Sequence, residues 1–234
     1  MVQQRSVGEA LEKLPFRRRP GREPLEGRSV RLEPVDATRH GDALYASFFE
    51  ADPEGAIWTY MAYGPFSDRA EFLEWLGKQQ ASDDPLFFAV IPTETGEAAG
   101  MASFMRMAPA HGVIEAGNIW YAPALQRTRA ATETIYLMIA HAFDDLGYRR
   151  FEWKCDALNA ASRRAAERFG FTFEGVFRQH MVIKGRNRDT AWYAIVDYEW
   201  PRLGEAFQAW LDDANFDDEG GQKKALSALM PDQN

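Results

Sequence analysis

The chain of 234 residues contains one cysteine, Cys155, so it has no intramolecular disulfide framework, and four histidines with a lone thiol give no zinc-ligand spacing. No stretch approaches the roughly 18 consecutive apolar residues of a membrane span, and Met1 to Arg22 lack the apolar centre of a signal peptide. A cytoplasmic setting, with neither membrane nor metal, is the expectation. Positive charge is in deficit, 27 Lys and Arg against 35 Asp and Glu for a formal net charge of -8. Generic nucleic-acid binding draws on phosphate neutralisation by cations, so this balance argues against nucleic acid as a partner. Internal repeats are also missing. What remains is an ordinary globular composition, 46% apolar and 26% charged, in a chain long enough to bury a sizeable core.

Both ends are polar. Residues 1–27 carry Arg17, Arg18 and Arg19 between Pro15 and Pro20 and read as an arm over the surface. Residues 212–234 open on Asp212, Asp213, Asp217, Asp218 and Glu219 and read as a polar tail, with room for a short helix at 223–230. Between them, hydrophobic periodicity predicts a strand at Val30 to Pro34, helices over 43–49 and 70–76 (the second capped by Ser67 with Glu71 behind it), and strands over 86–91, 99–107 and 113–121. A long helix over 130–146 stops at Gly147, followed by a strand at 151–155, a helix at 162–169, and strands at 171–173, 177–183 and 191–200. This order of strands and helices implies an α/β fold of the α+β type, a mixed sheet flanked by helices in one domain over 28–211.

Two segments carry chemistry. In Tyr121-Ala122-Pro123-Ala124-Leu125-Gln126-Arg127-Thr128-Arg129-Ala130-Ala131-Thr132-Glu133 a strand ends and a helix begins. Free amides and the positive dipole end suit a phosphate there, although an ordinary strand-to-helix turn with solvated arginines has the same look. In Asn159-Ala160-Ala161-Ser162, running on to Arg168-Phe169-Gly170-Phe171, Asn159 is by itself an ordinary helix cap.

Taken together, the strand, the Gln/Arg loop, the long helix, the next strand and the Asn-x-x-Ser helix leading into Arg-Phe-Gly-Phe resemble the GNAT superfamily of acyl-CoA-dependent N-acetyltransferases. The branch most resembled contains the ribosomal-protein alanine N-acetyltransferases, and the likeness covers about 28–200. It implies a mostly antiparallel sheet splayed between its fourth strand (113–121) and fifth strand (151–155), with acetyl-CoA inserted there. Cofactor contacts are then expected from Ile119, Trp120, Tyr121, Gln126, Arg127, Thr128, Arg129, Ala130, Ala131, Thr132 and Asn159. Arg129 stands where the family pattern has its first glycine, a substitution that forbids easy positive φ but offers a cation to phosphate.

The implied reaction is direct acetyl transfer to the primary amine of a small molecule or a protein or peptide N-terminus. An alternative is a non-catalytic acyl-CoA-binding or sensing module. An amine must attack as the free base, so a proton acceptor is needed. Glu115 is the candidate, because alternation places Glu115, Gly117, Ile119 and Tyr121 on one face; a solvent-facing strand glutamate is the competing reading. A backbone amide near Asn118 to Trp120 would receive the oxyanion. The family's usual tyrosine acid is replaced by Ala166, leaving Ser162 as the matching polar group. Cys155 has no histidine partner in sequence and reads as structural, as do His111, His141 and His180. The aromatic run 57–66, with Trp58 and Tyr60, is either plain core or a wall for the acceptor, and Trp192 with Tyr193 would close the other side. Monomer and homodimer are both open.

Charge is divided along the chain. Residues 122–190 hold 12 Lys and Arg against 8 Asp and Glu, and residues 28–121 hold 6 against 14. The division assigns the anionic cofactor to the basic half and a cationic amine to the acidic half.

Overall fold

Alternation along 86–116 and 151–195 puts one set of apolar side chains on each side of a sheet, and in the computed structural model, which describes residues 6–11, 17–49 and 51–230, both sets are buried. The strands are β1 (Leu25–Glu26), β2 (Val30–Pro34), β3 (Leu86–Pro92), β4 (Gly100–Ala108), β5 (Val113–Tyr121), β6 (Arg150–Asp156), β7 (Thr172–Ile183) and β8 (Arg186–Val196). They form one sheet in the order β1-β2-β3-β4-β5-β6-β8-β7, antiparallel throughout except for the parallel pair β5 and β6. The sequence reading omitted the two-residue β1, so its fourth and fifth strands are β5 and β6.

The helices are α1 (Ala37–Phe49), α2 (Arg69–Gln80), α3 (Arg129–Ala140), α4 (Ala160–Arg168) and α5 (Trp200–Leu211). On one side of the sheet Phe88, Phe104, Ile114, Phe151 and Ile195 pack under α3 and α5 through Ile135, Met138, Leu203 and Phe207. On the other, Phe87, Ala89, Met101 and Trp120 pack under α1 and α2 through Leu44, Phe48, Phe72 and Leu76. This second cluster contains no residue of β6, β7 or β8. That half of the face carries charged side chains together with Trp192 and Phe177, and the candidate site lies there.

Several local expectations are corrected. Asp68, not Ser67, caps α2, accepting from the Glu71 amide at 2.9 Å, while Ser67 donates to the Glu71 carboxylate. The long helix divides, because after Ala140 the chain widens to a π-turn over His141–Asp145 before Gly147, at φ +67°, ends it. The strand expected over 191–200 ends at Val196, and Trp200 opens α5. That helix was legible in the spacing of Trp200, Leu203, Phe207, Trp210 and Leu211, all buried, with Pro201 in the first turn.

Candidate active site

β5 and β6 pair from Val113 with Arg150 to Ala116 with Trp153, and no further. Beyond that point β5 bulges against β4, because Ser103 opposes Gly117 while Met101 opposes Trp120, leaving one extra residue on β5. Asn118 takes the left-handed conformation, φ +51°, which asparagine tolerates better than most side chains. Its amide donates to Ser103 Oγ at 2.9 Å, and Ser103 Oγ donates to the Gly117 carbonyl at 3.0 Å. The strands therefore splay at Gly117. The bulge also corrects the expected alternation. Glu115 and Gly117 share their face with Trp120, whereas Ile119 and Tyr121 cross to the α3 side.

The loop from Tyr121 to α3 is held by its own backbone. Leu125 and Gln126 amides donate to Ala122, Gln126 Nε2 donates to the Tyr121 carbonyl at 3.0 Å, and Thr128 caps α3 by accepting from the Ala131 amide at 3.1 Å. Left-handed backbone falls on Arg127 (φ +64°), not on Arg129, which is the first residue of α3. Among the described residues the amides of Arg127, Arg129 and Ala130 have no acceptor. Ala130, Ala131 and Thr132 are buried, while Gln126 and Arg127 are exposed. Arg129 is committed elsewhere: its guanidinium donates to the Leu211 carbonyl and to Asp213 at 2.7 Å, and lies 4.5 Å over the Phe216 ring. Its side chain is thus turned to the C-terminal segment, and only its amide is offered to the loop.

Across the splay, Asn159 caps α4 through Oδ1, which accepts from the Ser162 amide at 3.0 Å. Ser162 Oγ accepts from Trp153 Nε1 at 3.0 Å. Ala166 is fully buried in the main core. Burial pushes the Cys155 thiol up, which makes it a poor nucleophile at neutral pH.

On the open half-face an ion ladder joins residues of four strands, β4, β5, β6 and β7. Glu115, 3% exposed, accepts from Lys154 Nζ at 2.8 Å on Oε2, with Arg106 at 3.5 Å from the same oxygen. Lys154 also binds Glu152 at 2.5 Å, and Arg150 joins Glu152 to Glu174. Glu115 Oε1 has no hydrogen-bond partner among the described residues and lies 3.7 Å from where a Cβ on Gly117 would stand. Burial pushes the Glu115 carboxyl above the usual carboxylate range, against the pull of Lys154 and Arg106.

The aromatic run divides between its two readings. Trp58 is 1% exposed and sits against Phe48, Phe66 and Trp120, so it is core. Tyr60 is 37% exposed and its hydroxyl donates to the Leu158 carbonyl at 3.2 Å, at the edge of the splay. Trp192 stacks on Phe177 and carries Lys154 Nζ 3.9 Å above its ring, on the same face as Glu115. Tyr193, on the opposite face, bonds Arg163 and Glu167. Lys154, Glu152, Arg150 and Arg106 were not singled out from the sequence. Arg150, Glu152, Lys154 and Asp156 alternate with the apolar Phe151, Trp153 and Cys155, a charged strand face that the period-two pattern displays.

Among the described residues no cluster of His, Cys, Asp and Glu forms a metal site, and no helix is long and apolar enough to cross a membrane. Residues 29–172 match the family model described as an acetyltransferase (GNAT) domain. The fold is similar to a GCN5-related N-acetyltransferase from Brucella melitensis, with TM-score 0.91 and 52% identity over 94% of this chain and 99% of that one. A probable acetyltransferase of the GNAT family from Chromobacterium violaceum matches with TM-score 0.77 and 41% identity, over 86% of this chain and all of that one. The Bacillus subtilis protein named "Putative ribosomal N-acetyltransferase YdaF" is 28% identical over 172 residues, 72% of this chain and 90% of its own length.

Proposed function

Because the chain belongs to the GNAT acetyltransferase family, we propose that it moves an acetyl group from acetyl-CoA directly to a primary amine, on a small molecule or a protein or peptide N-terminus. One observation carries the reading: among the described residues the amides of Arg127, Arg129 and Ala130 are without acceptors at the start of α3, in the loop that follows β5, the strand that parts from β6 after Ala116. Such a cradle suits the pyrophosphate of the co-substrate. Acetyl-CoA supplies the thioester.

Gln126 and Arg127, both exposed, add side-chain donors at the cradle. Asn159 spends its oxygen on the α4 cap and keeps its NH2 for the pantetheine amides. An amide of 118–120, freed from β6 by the splay, receives the carbonyl oxygen as charge develops on it. Glu115 takes the proton of the incoming ammonium on its free Oε1 while Lys154 holds Oε2. The amine nitrogen then bonds to the carbonyl carbon and sheds its second proton to water, and the carbon–sulfur bond breaks as the amide forms. Ser162 or a water returns a proton to the thiolate, a leaving group good enough to need only a weak acid. Tyr60 and Trp192 flank the acceptor on either side.

Thiol release from acetyl-CoA, measured over amines, aminoacyl nucleotides and N-terminal peptides, tests the reading. Release with any of these supports it. Saturable acetyl-CoA binding without release over the whole panel favours a sensing module, for which the burial of Ala166 in place of an acid is the motive.

A further inference from the structure

Most charged groups on the open half-face answer one another, and one does not. On β8 the even-numbered residues Arg188, Thr190, Trp192 and Ala194 share the face of Lys154 and Glu152, as the pairing of Trp192 with Lys154 and of Ala194 with Glu152 requires. The Arg188 side chain makes no ion pair or hydrogen bond among the described residues, and its Nε is buried with no acceptor. The nearby carboxylates are spoken for. Asp189, on the opposite face, accepts from the Gln179 amide at 2.7 Å and from Asn187 at 2.9 Å, and Asp156 accepts from the Leu158 amide at 2.9 Å. Lys154 is bound by Glu115 and Glu152, and Lys184 donates to the Trp58 carbonyl at 2.8 Å. Burying part of a guanidinium without an acceptor is costly, and a planar carboxylate offsets that cost through paired bonds.

We propose that the amine acceptor carries a carboxylate close to the reacting nitrogen and that Arg188 receives it, Lys184 and Tyr60 holding the segment 57–60 over the same opening. The proposal rests on the acetyl-transfer reading for the amine and adds the class of acceptor. His180, bonded to Thr190 Oγ1 at 2.9 Å, faces the same opening; burial, Arg106, Arg188 and Lys154 keep its imidazole toward the neutral form, so the positive charge there belongs to the arginines and Lys154. The structure also revises the charge division of the sequence. The basic hairpin of β7 and β8 lies on the acceptor side, and the Glu115 and Glu152 carboxylates there are already matched by Lys154, Arg106 and Arg150.

The test compares isosteric acceptors: alanine with alaninamide for an α-carboxylate, and Ser-Asp-amide with Ser-Asn-amide for a side-chain carboxylate. Wild type is expected to favour one carboxylate member by about tenfold or more in kcat/KM, the worth of a charged hydrogen bond. Arg188→Gln should abolish that preference and Arg188→Lys restore part of it. Equal rates within both pairs, or an equal loss on both members in Arg188→Gln, overturns the proposal. Titration of the CoA-bound protein with N-acetylalanine, N-acetylalaninamide and the acetylated dipeptide amides reads the same site without turnover. Anion-selective binding lost in Arg188→Gln supports the site even if no thiol is released, in which case acetyl transfer alone fails; absence of selectivity overturns it.

Discussion

At the scale of single residues, the proposal that Glu115 is the base sets what a pH profile must show. A base works only when ionised, and burial raises this carboxyl above its ordinary range, so the acid limb of kcat/KM is expected at higher pH than a solvated glutamate would give. Glu115→Gln should lower turnover by about a hundredfold or more, within the usual contribution of general-base catalysis, and remove that limb while acetyl-CoA affinity is retained. Lys154→Met takes away the nearest counter-charge and leaves Glu115 buried, so the carboxyl rises further and the limb moves to still higher pH. Breaking such a pair costs about 3–5 kcal/mol, which a melting curve reads separately. An unmoved limb in Lys154→Met would reassign the base. Glu115 was legible as a candidate from its place beside Gly117. Its partners were not, because a lysine 39 residues on in the chain becomes a neighbour only once β5 and β6 are known to pair in parallel register.

At the scale of elements, the start of α3 separates backbone from side-chain contributions. Thr128 caps the helix, so Thr128→Ala should cost about 1 kcal/mol of stability and weaken acetyl-CoA binding by loosening the amides it aligns. Arg127 holds φ +64°, a conformation costing an ordinary residue about 1–2 kcal/mol. Arg127→Gly should therefore raise the denaturation midpoint and Arg127→Val lower it, and the reverse order would contradict the loop geometry. The sequence located this loop and the helix behind it, because a strand end, a capping threonine and a sustained apolar stripe are local signals. It marked Arg129, at the family's glycine, as a residue that forbids easy positive φ, and Arg129 is indeed helical; the left-handed residue is Arg127, which it did not single out for its backbone, since a family glycine pattern says where freedom is usual and not where this chain bends. The β5 bulge was hidden for the same reason: an extra residue is defined against β4, and alternation read along one strand cannot show it. The helix α5 was missed by letting the strand run through Trp200, although its buried stripe was present in the spacing.

At the scale of the whole molecule, the C-terminal segment ties the sheet's helical side to the start of α3, the proposed cofactor loop. Leu226 is fully buried in the main core, Trp210 Nε1 donates to Gln222 at 2.8 Å, and Asn215 bonds the Trp210 and Lys224 carbonyls. From the same segment Asp213 and Phe216 hold Arg129 at the first turn of α3, and the Arg129 hydrogen bond keeps the Asp213 carboxyl below its usual range. A depressed carboxyl contributes stability above its unfolded pKa and loses it as pH falls through the folded one, so this link persists into mild acid. Leu226→Ala, which empties a fully buried site, should cost about 2–5 kcal/mol. Ending the chain after Leu211 should lower the melting temperature further, since it removes Leu226, Phe216 and Asp213 together. It also leaves Arg129 without its carboxylate beside three unpaired amides, where the freed cation favours an anion. In that truncated protein, acetyl-CoA affinity measured well below its melting temperature is expected to rise and to become more salt-sensitive, and Arg129→Ala should reverse both changes. The same substitution in the full chain should act on stability and leave affinity nearly unchanged. Equal loss of affinity from Arg129→Ala in both backgrounds would show that Arg129 serves the anion directly, and the contact with Asp213 would then have no bearing on the cofactor loop.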